Sequence, residues 1–116
     1  SVLVLAMIAT PAGLANVAEI CATPGLDGVY IGPADLRLAV GGATASDPAV
    51  DDVFEEAVVK IAEAAADAGI AAGFHTPTGE VAKRRLAQGF TYATVSCDLV
   101  HLEEAAMAHL SAAREG

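Results

Sequence analysis

Val29-Tyr30-Ile31-Gly32-Pro33-Ala34-Asp35-Leu36 changes character at its middle. A β-branched and aromatic run suited to a strand meets a Gly-Pro turn, after which Leu36 to Val40 have room for a turn or two of helix before Gly41-Gly42. The same passage recurs on either side. Upstream, the apolar run Val2 to Ile8 ends at Thr10-Pro11, a hydroxyl at a cap position followed by a proline at the first helical position. A helix is predicted from there to about Ala22, with Leu14, Val17, Ala18 and Cys21 forming an apolar stripe and Pro24-Gly25 stopping it. Downstream, Asp47-Pro48 opens a longer helix. Asp51 and Asp52 lie in its first turn, Val50, Phe54, Ala57, Val58, Ile61 and Ala65 form its buried face, and Gly69 closes it. Ile70 to Phe74 reads as the third strand, and Thr76-Pro77 as the start of a helix that turns Val81 and Leu86 inward and Lys83, Arg84 and Arg85 outward or toward its end. After Gly89, Phe90 to Val95 forms the fourth strand, and Ser96-Cys97-Asp98 leads to a last helix holding Leu102, Ala105, Ala106, Ala108 and Leu110.

Strands and helices in strict alternation, with strands apolar on both faces, specify an α/β fold whose parallel sheet is covered by helices. An open doubly wound sheet and part of an eight-stranded barrel both satisfy that rule. No G-x-G-x-x-G follows the first strand and no Walker pattern occurs, which removes the common nucleotide-binding reasons for an open sheet. The expected architecture is four consecutive βα units, half of a (β/α)8 barrel, with residues 1–116 as one partial domain. Such a half leaves two strand edges and half an interior layer uncovered, which would account for a chain that is 54% hydrophobic.

Composition narrows the function classes. With 15 acidic and 6 basic residues the formal charge is −9, and aromatic residues are only 4% of the chain, so neither phosphate attraction nor base stacking is provided for. Apolar stretches break at Thr10-Pro11, Pro24-Gly25 and Gly32-Pro33, too early for a membrane span. Cys21 and Cys97 lie far apart, as expected for reduced, buried thiols in a cytoplasm rather than for a metal or disulfide framework. Ser1 followed directly by Val2-Leu3-Val4-Leu5 reads as an interior cut rather than a natural start.

In a parallel barrel, reactive groups gather at the carboxyl ends of the strands, here Ala9-Thr10, Gly32 to Asp35, His75-Thr76 and Ser96 to Asp98. The second window is the richest. Gly32 admits a ligand close to the backbone, Pro33 stiffens the turn, amides beyond it can hold a carboxylate, and Asp35 offers oxygen to a hard cation. Asp35 reads equally as a helix N-cap. His75 faces the mouth or is satisfied by backbone groups at a loop edge, the second being favoured. Asp98 is read as the cap of the last helix before it is read as a site residue. Asp27 belongs to the opposite rim, and His101 and His109 are too far apart for joint metal ligation.

Met7-Ile8-Ala9-Thr10-Pro11 with Ala15-Asn16, then Pro24 through Leu36, then Ala72-Gly73, Gly89-Phe90 and Ser96-Cys97-Asp98-Leu99, resemble the carboxyl-terminal half of the HpcH/HpaI aldolase/citrate lyase family. The resemblance implies a class II aldolase or lyase that reversibly cleaves a carbon–carbon bond in the aldol adduct of a pyruvate-type 2-keto acid, using Mg, Mn or Co to stabilise the enolate. It implies Asp35 as a metal-binding carboxylate and Gly32, Pro33, Ala34 and Asp35 as the substrate-binding turn. It also implies a homo-oligomer, with the last helix often packed on a neighbouring subunit, and a catalytic histidine and substrate-fixing arginine supplied by the first barrel half. This chain departs from the pattern at Ala9, where the family usually carries a metal-binding glutamate, so the implied cation is weakened or absent. The other expectation is a catalytically impaired fragment that keeps the scaffold as an interaction module. The related citrate lyase and acyl-CoA lyase roles stay open.

Overall fold

Strands β1 (Leu5–Ile8), β2 (Gly28–Ile31), β3 (Ala71–Thr76) and β4 (Tyr92–Val95) lie parallel in the order β1-β2-β3-β4 in the computed structural model, which describes residues 1–115. Sequence neighbours are therefore spatial neighbours throughout. A right-handed crossover that always steps the same way along a sheet keeps its helices on one face, whereas a doubly wound sheet reverses direction. The order is that of four successive units of a (β/α)8 barrel, as the alternation predicts.

The helices are α1 (Pro11–Ala15), α2 (Val17–Cys21), α3 (Pro33–Ala39), α4 (Asp51–Ala68), α5 (Gly79–Ala87) and α6 (Asp98–Arg114), with a short 3-10 turn at Pro48–Val50 before α4. Because side chains alternate along a strand, Ile8, Val29, Ile31, Ala72, Phe74 and Thr76 point to the helical side and are buried. They meet Val17 and Cys21 of α2, Leu36 of α3 and Phe54, Val58, Ile61 and Ala65 of α4 in one core. Phe74 and Phe90 close its end edge to face, with centroids 5.2 Å apart, a geometry favoured by the ring quadrupoles. Each large side chain buried this way contributes about 1.5–3 kcal/mol. The other face of the sheet has no such cover: Leu5 is 46% and Met7 53% exposed. Nor does α6 bury any residue, and its Leu99 and Leu102 are about 70% exposed (69% and 70%).

Local chemistry explains where the element boundaries differ from the sequence reading. The first helix breaks at Asn16, whose side-chain amide donates to Ala12 O at 2.9 Å and competes with continuous winding. Strand β3 extends to Thr76 because the Thr76 hydroxyl donates to Thr94 O at 2.8 Å and Ser96 N donates to Thr76 O. The cap of α5 passes to Thr78, which accepts from Val81 N. Arg85 takes the second of its two expected placements, toward the end of α5, and is not outward. It is 4% exposed, its two terminal nitrogens each donate to a Glu55 oxygen at 2.7 Å, and its guanidinium stacks 4.4 Å from the Phe74 centroid. Leu86, expected inward, is 46% exposed, since Arg85 and Ala82 occupy the inward face one turn apart. Cys97 is the N-cap residue of α6 and Asp98 its first helical residue, with its Oδ1 accepting from Leu99 N. Cys21 is buried as expected, but Cys97 is exposed because it lies in the turn that enters α6. Val50 is only half-buried, since it ends the 3-10 turn rather than lying within α4.

Candidate functional site at the carboxyl rim of the sheet

The ladder itself sets the rim. Ile8 pairs with Ile31 and Ile31 with Phe74, so one step further Ala9, Gly32 and His75 stand level, and His75 pairs with Thr94. These four positions share the face that the helices leave open. The row below it is Met7, Tyr30, Gly73 and Tyr92. There the Tyr30 and Tyr92 rings lie parallel, 6.1 Å between centroids, across Gly73. A Cβ at residue 73 would fall within the Tyr92 ring, so only glycine permits this arrangement. The Tyr92 hydroxyl donates to Val29 O at 3.1 Å, while burial first and the neighbouring Tyr30 second push its phenol pKa up.

Asp35 lies at this rim and not at the far one. Gly32 is the N-cap residue of α3, Pro33 its first residue, and the first intrahelical bond runs from Leu36 N to Gly32 O. Asp35 is thus inside the first turn, no side chain caps the helix, and the N-cap reading of Asp35 is set aside by the geometry. Its carboxylate folds back over Gly32: Asp35 Oδ2 is 3.5 Å, and Met7 Sδ 3.6 Å, from where a Cβ on Gly32 would stand. Asp35 and Ala9 line one open cleft of about 300 Å³ with Thr10, Pro11, Leu38 and Ala39. Position 9 therefore faces the same space as Asp35. Pro33 and Ala34 are part of the turn, Ala34 being exposed.

The larger surface depression, about 540 Å³, is lined by Asp52, Glu55, Glu56, Val59, Lys60 and Glu63, all from α4. It is a groove between side chains of a single helix, away from the strand ends, and provides no convergent chemistry.

A cation has one evident donor in the rim cleft, the Asp35 carboxylate, with the methyl group of Ala9 in place of a second. Among the described residues no three His, Cys, Asp or Glu side chains cluster closely enough to hold a metal ion. The donor set of this chain therefore does not by itself fit a divalent cation, which takes six or more oxygen ligands and leaves only part of that shell to substrate and water.

His75 is where the sequence reading needs revision. It is satisfied by a side chain rather than by backbone: Nδ1 lies 2.8 Å from Thr94 Oγ1, which also shares a hydrogen bond with the Tyr30 hydroxyl. Tyr30, Thr94 and His75 form a polar chain along the open face. Only the period-2 parity of residues 30, 75 and 94 within three strands pointed to it, and cross-strand register was needed to bring them together. Asp27 accepts from Val4 N at 2.7 Å before β2, at the opposite rim as expected. His101 lies 3.1 Å, through Nε2, from Val95 O, tying the exposed α6 to the end of β4.

A family model described as HpcH/HpaI aldolase/citrate lyase matches residues 1–105. A hydroxypyruvate/pyruvate aldolase of Rhizorhabdus wittichii is 40% identical over 110 residues, 95% of this chain and 43% of the relative. A 4-hydroxy-2-oxo-heptane-1,7-dioate aldolase of Shigella sonnei is 39% identical over 106 residues, 90% of this chain and 39% of the relative. Among solved structures, an HpcH/HpaI aldolase/citrate lyase family protein from Burkholderia cenocepacia superimposes with a TM-score of 0.88 at 30% identity, over 98% of this chain and 43% of that one. The chain thus spans about two fifths of the length of these relatives (43%, 39% and 43%).

Proposed function

Because the chain belongs to the HpcH/HpaI aldolase/citrate lyase family, we propose that it forms the carboxyl-terminal half of an aldolase barrel, residues 1–116 being one partial domain. The reaction is reversible carbon–carbon cleavage of the aldol adduct of a small, pyruvate-type 2-keto acid. The observation that carries this reading is the placement of the Asp35 carboxylate over Gly32, at the strand rim where barrel chemistry collects and beside the amides that open α3. The N–H groups of Ala34 and Asp35 precede the first intrahelical bond, so they are free to hold the carboxylate of the keto acid. Pro33 fixes the turn that aims them, and Gly32 leaves room for the ligand to approach. Divalent metal dependence, with Mg, Mn or Co, belongs to this proposal, but the donors of this chain supply only part of the site.

The catalytic base and the remaining ligands would come from another segment packed on the open face, either the other half of the barrel or a further subunit. The uncovered Leu5 and Met7 and the exposed α6 support such packing and a homo-oligomer. Among the described residues no helix is long and apolar enough to cross a membrane, and the acidic charge gives nucleic acid no foothold.

Ala9 favours a second reading, in which the scaffold persists as a catalytically impaired interaction module. The test is pyruvate release from a 4-hydroxy-2-keto acid by the intact protein with Mn²⁺, compared with Asp35→Asn. Pyruvate formation that falls at least a hundredfold in Asp35→Asn supports the enzyme. No turnover in either protein, with folding and assembly intact, overturns it and leaves the module.

A further inference from the structure

The Tyr30-Thr94-His75 chain is not absorbed by the proposed roles of Gly32 to Asp35. Two hydrogen-bonding groups share one hydroxyl: Thr94 Oγ1 meets both the Tyr30 hydroxyl and His75 Nδ1. Thr94 has a single proton to give. A phenol is the strongest donor of the three and an imidazole nitrogen the strongest acceptor, so the favoured direction is Tyr30 O–H to Thr94 Oγ1 and Thr94 O–H to His75 Nδ1. That direction leaves the ring proton on Nε2. The tautomer is assigned from donor and acceptor strength, and it gives His75 an N–H with no protein partner among the described residues.

His75 stands level with Gly32 on the adjacent strand, about 4.8 Å away across the ladder. Asp35 overhangs Gly32 on one side, and Thr94 holds the ring from the other. On the carboxylate seat proposed above, the open row runs from Gly32 toward β3 and β4, and the polar side chains of that row are His75 and Thr94. Thr94 is already engaged, which leaves Nε2–H as the free donor of that row.

We propose that His75 is a specificity-determining hydrogen-bond donor, its Nε2–H held by Thr94 and Tyr30 and directed at a hydroxyl oxygen on the aldehyde-derived part of the substrate. The proposal rests on the aldolase reading. Thr94 and Tyr30 are positioning residues that set the tautomer and the ring plane. A donor of this kind discriminates because an analogue lacking the hydroxyl leaves the N–H unpaired.

The intact protein is assayed with pyruvate and either glycolaldehyde or acetaldehyde, alongside His75→Leu, His75→Gln and Thr94→Val. The expected preference, as a ratio of kcat/KM values, favours glycolaldehyde and falls about tenfold in His75→Leu. His75→Gln, whose amide nitrogen reaches a position close to Nε2, restores part of it, and Thr94→Val lowers it about threefold. In parallel, nitrogen-edited NMR of the histidine-labelled protein is expected to show the Nε2–H tautomer for His75 and its loss in Thr94→Val, which a merely structural Thr94 would not cause. A neutral His75 in the Nδ1–H form, or a ratio unchanged in His75→Leu, overturns the proposal. If the unsubstituted protein turns over neither aldehyde, the aldolase reading fails separately, and the donor is then judged by binding. A His75 signal that shifts with glycolaldehyde and not with acetaldehyde sustains it, and one that responds to neither overturns it.

Discussion

Ala9→Glu places a second carboxylate in the cleft that Asp35 already lines. Position 9 is one ladder step beyond the Ile8 to Ile31 pair and thus level with Gly32, about 4.8 Å away on the adjoining strand, while Asp35 folds back over Gly32. A glutamate side chain from that strand would share the cleft with the Asp35 carboxylate, at a contact separation of about 4 Å. The site is open to solvent, so the repulsion between unit charges at that separation is about 1 kcal/mol. Without metal, Ala9→Glu is therefore expected to lower the melting temperature by a few degrees. Mn²⁺ should reverse that loss, because the paired oxygens then share a cation. Loss of groups that merely orient metal ligands costs about 10–100-fold in affinity, and gain of a direct ligand should exceed the lower end of that range. Titration calorimetry with Mn²⁺ at low ionic strength, with thermal melts run with and without the ion, measures both effects. An Ala9→Glu protein that melts like the parent without metal and binds Mn²⁺ no more tightly would refute the placement of Asp35 against position 9.

The other expectations concern the scaffold. Glu55→Gln removes the negative partner of a nearly buried Arg85 and should cost about 1–2 kcal/mol, read by urea unfolding; Glu55 is itself half exposed, which keeps the loss below that of a fully buried pair. The hydrogen bond from Arg85 holds the Glu55 carboxyl below its ordinary value. Its stabilisation is thus complete above the unfolded pKa of about 4.3 and disappears as pH falls through the lower folded value; in Glu55→Gln this acid-side slope should flatten. Gly73→Ala forces Tyr92 off Gly73 and should cost about 1–3 kcal/mol while separating the stacked tyrosines, visible in near-ultraviolet circular dichroism. Thiol reagents should modify exposed Cys97 rapidly and Cys21 only on unfolding, since burial raises the Cys21 pKa; mass spectrometry of the peptides decides it.

The order of elements could be read from sequence in large part because the first two βα units carry local punctuation: Thr10-Pro11, Gly32-Pro33 and Asp47-Pro48 mark helix starts whose chemistry depends on near neighbours alone. Asp47 shows this well, its carboxylate accepting from Ala43 N and Ala49 N and its pKa lowered by those two bonds. The readings that failed depended on distant partners. Thr76 has the same Thr-Pro signature as Thr10, yet it belongs to a strand because Thr94 on the next strand takes its hydroxyl proton. Arg85 looks like a surface residue until Glu55, thirty residues earlier, and the rings of Phe54 and Phe74 surround it. The site follows the same rule. Gly32 to Asp35 form a contiguous turn and were readable as a unit, whereas His75 needed Tyr30 and Thr94 from two other strands.

The two faces of the sheet are finished differently, and this asymmetry connects the fold to its chemistry. On the helical face, apolar pairs such as Ile31 with Phe74 sit beneath α4, and Arg85, the one deeply buried charge among the described residues, has a carboxylate, an amide and two rings around it. On the open face, the row Ala9, Gly32, His75, Thr94 sets small residues just past the ends of β1 and β2 beside polar ones on β3 and β4. Small residues leave the volume that Asp35 overhangs, and the polar pair borders that volume with a histidine whose ring is held at one nitrogen. Packing alone would favour large apolar residues across such a row, since barrel interiors are ordinarily filled by branched side chains. On the proposed aldolase reading, a row that gives up that volume at one end and places a fixed polar group at the other would receive a small oxygen-rich molecule. The methyl group of Ala9 adds no oxygen donor beside Asp35 in the cleft, while His75 and Thr94 do not depend on residue 9, so on the proposed reading metal affinity and ligand binding should separate experimentally in this chain.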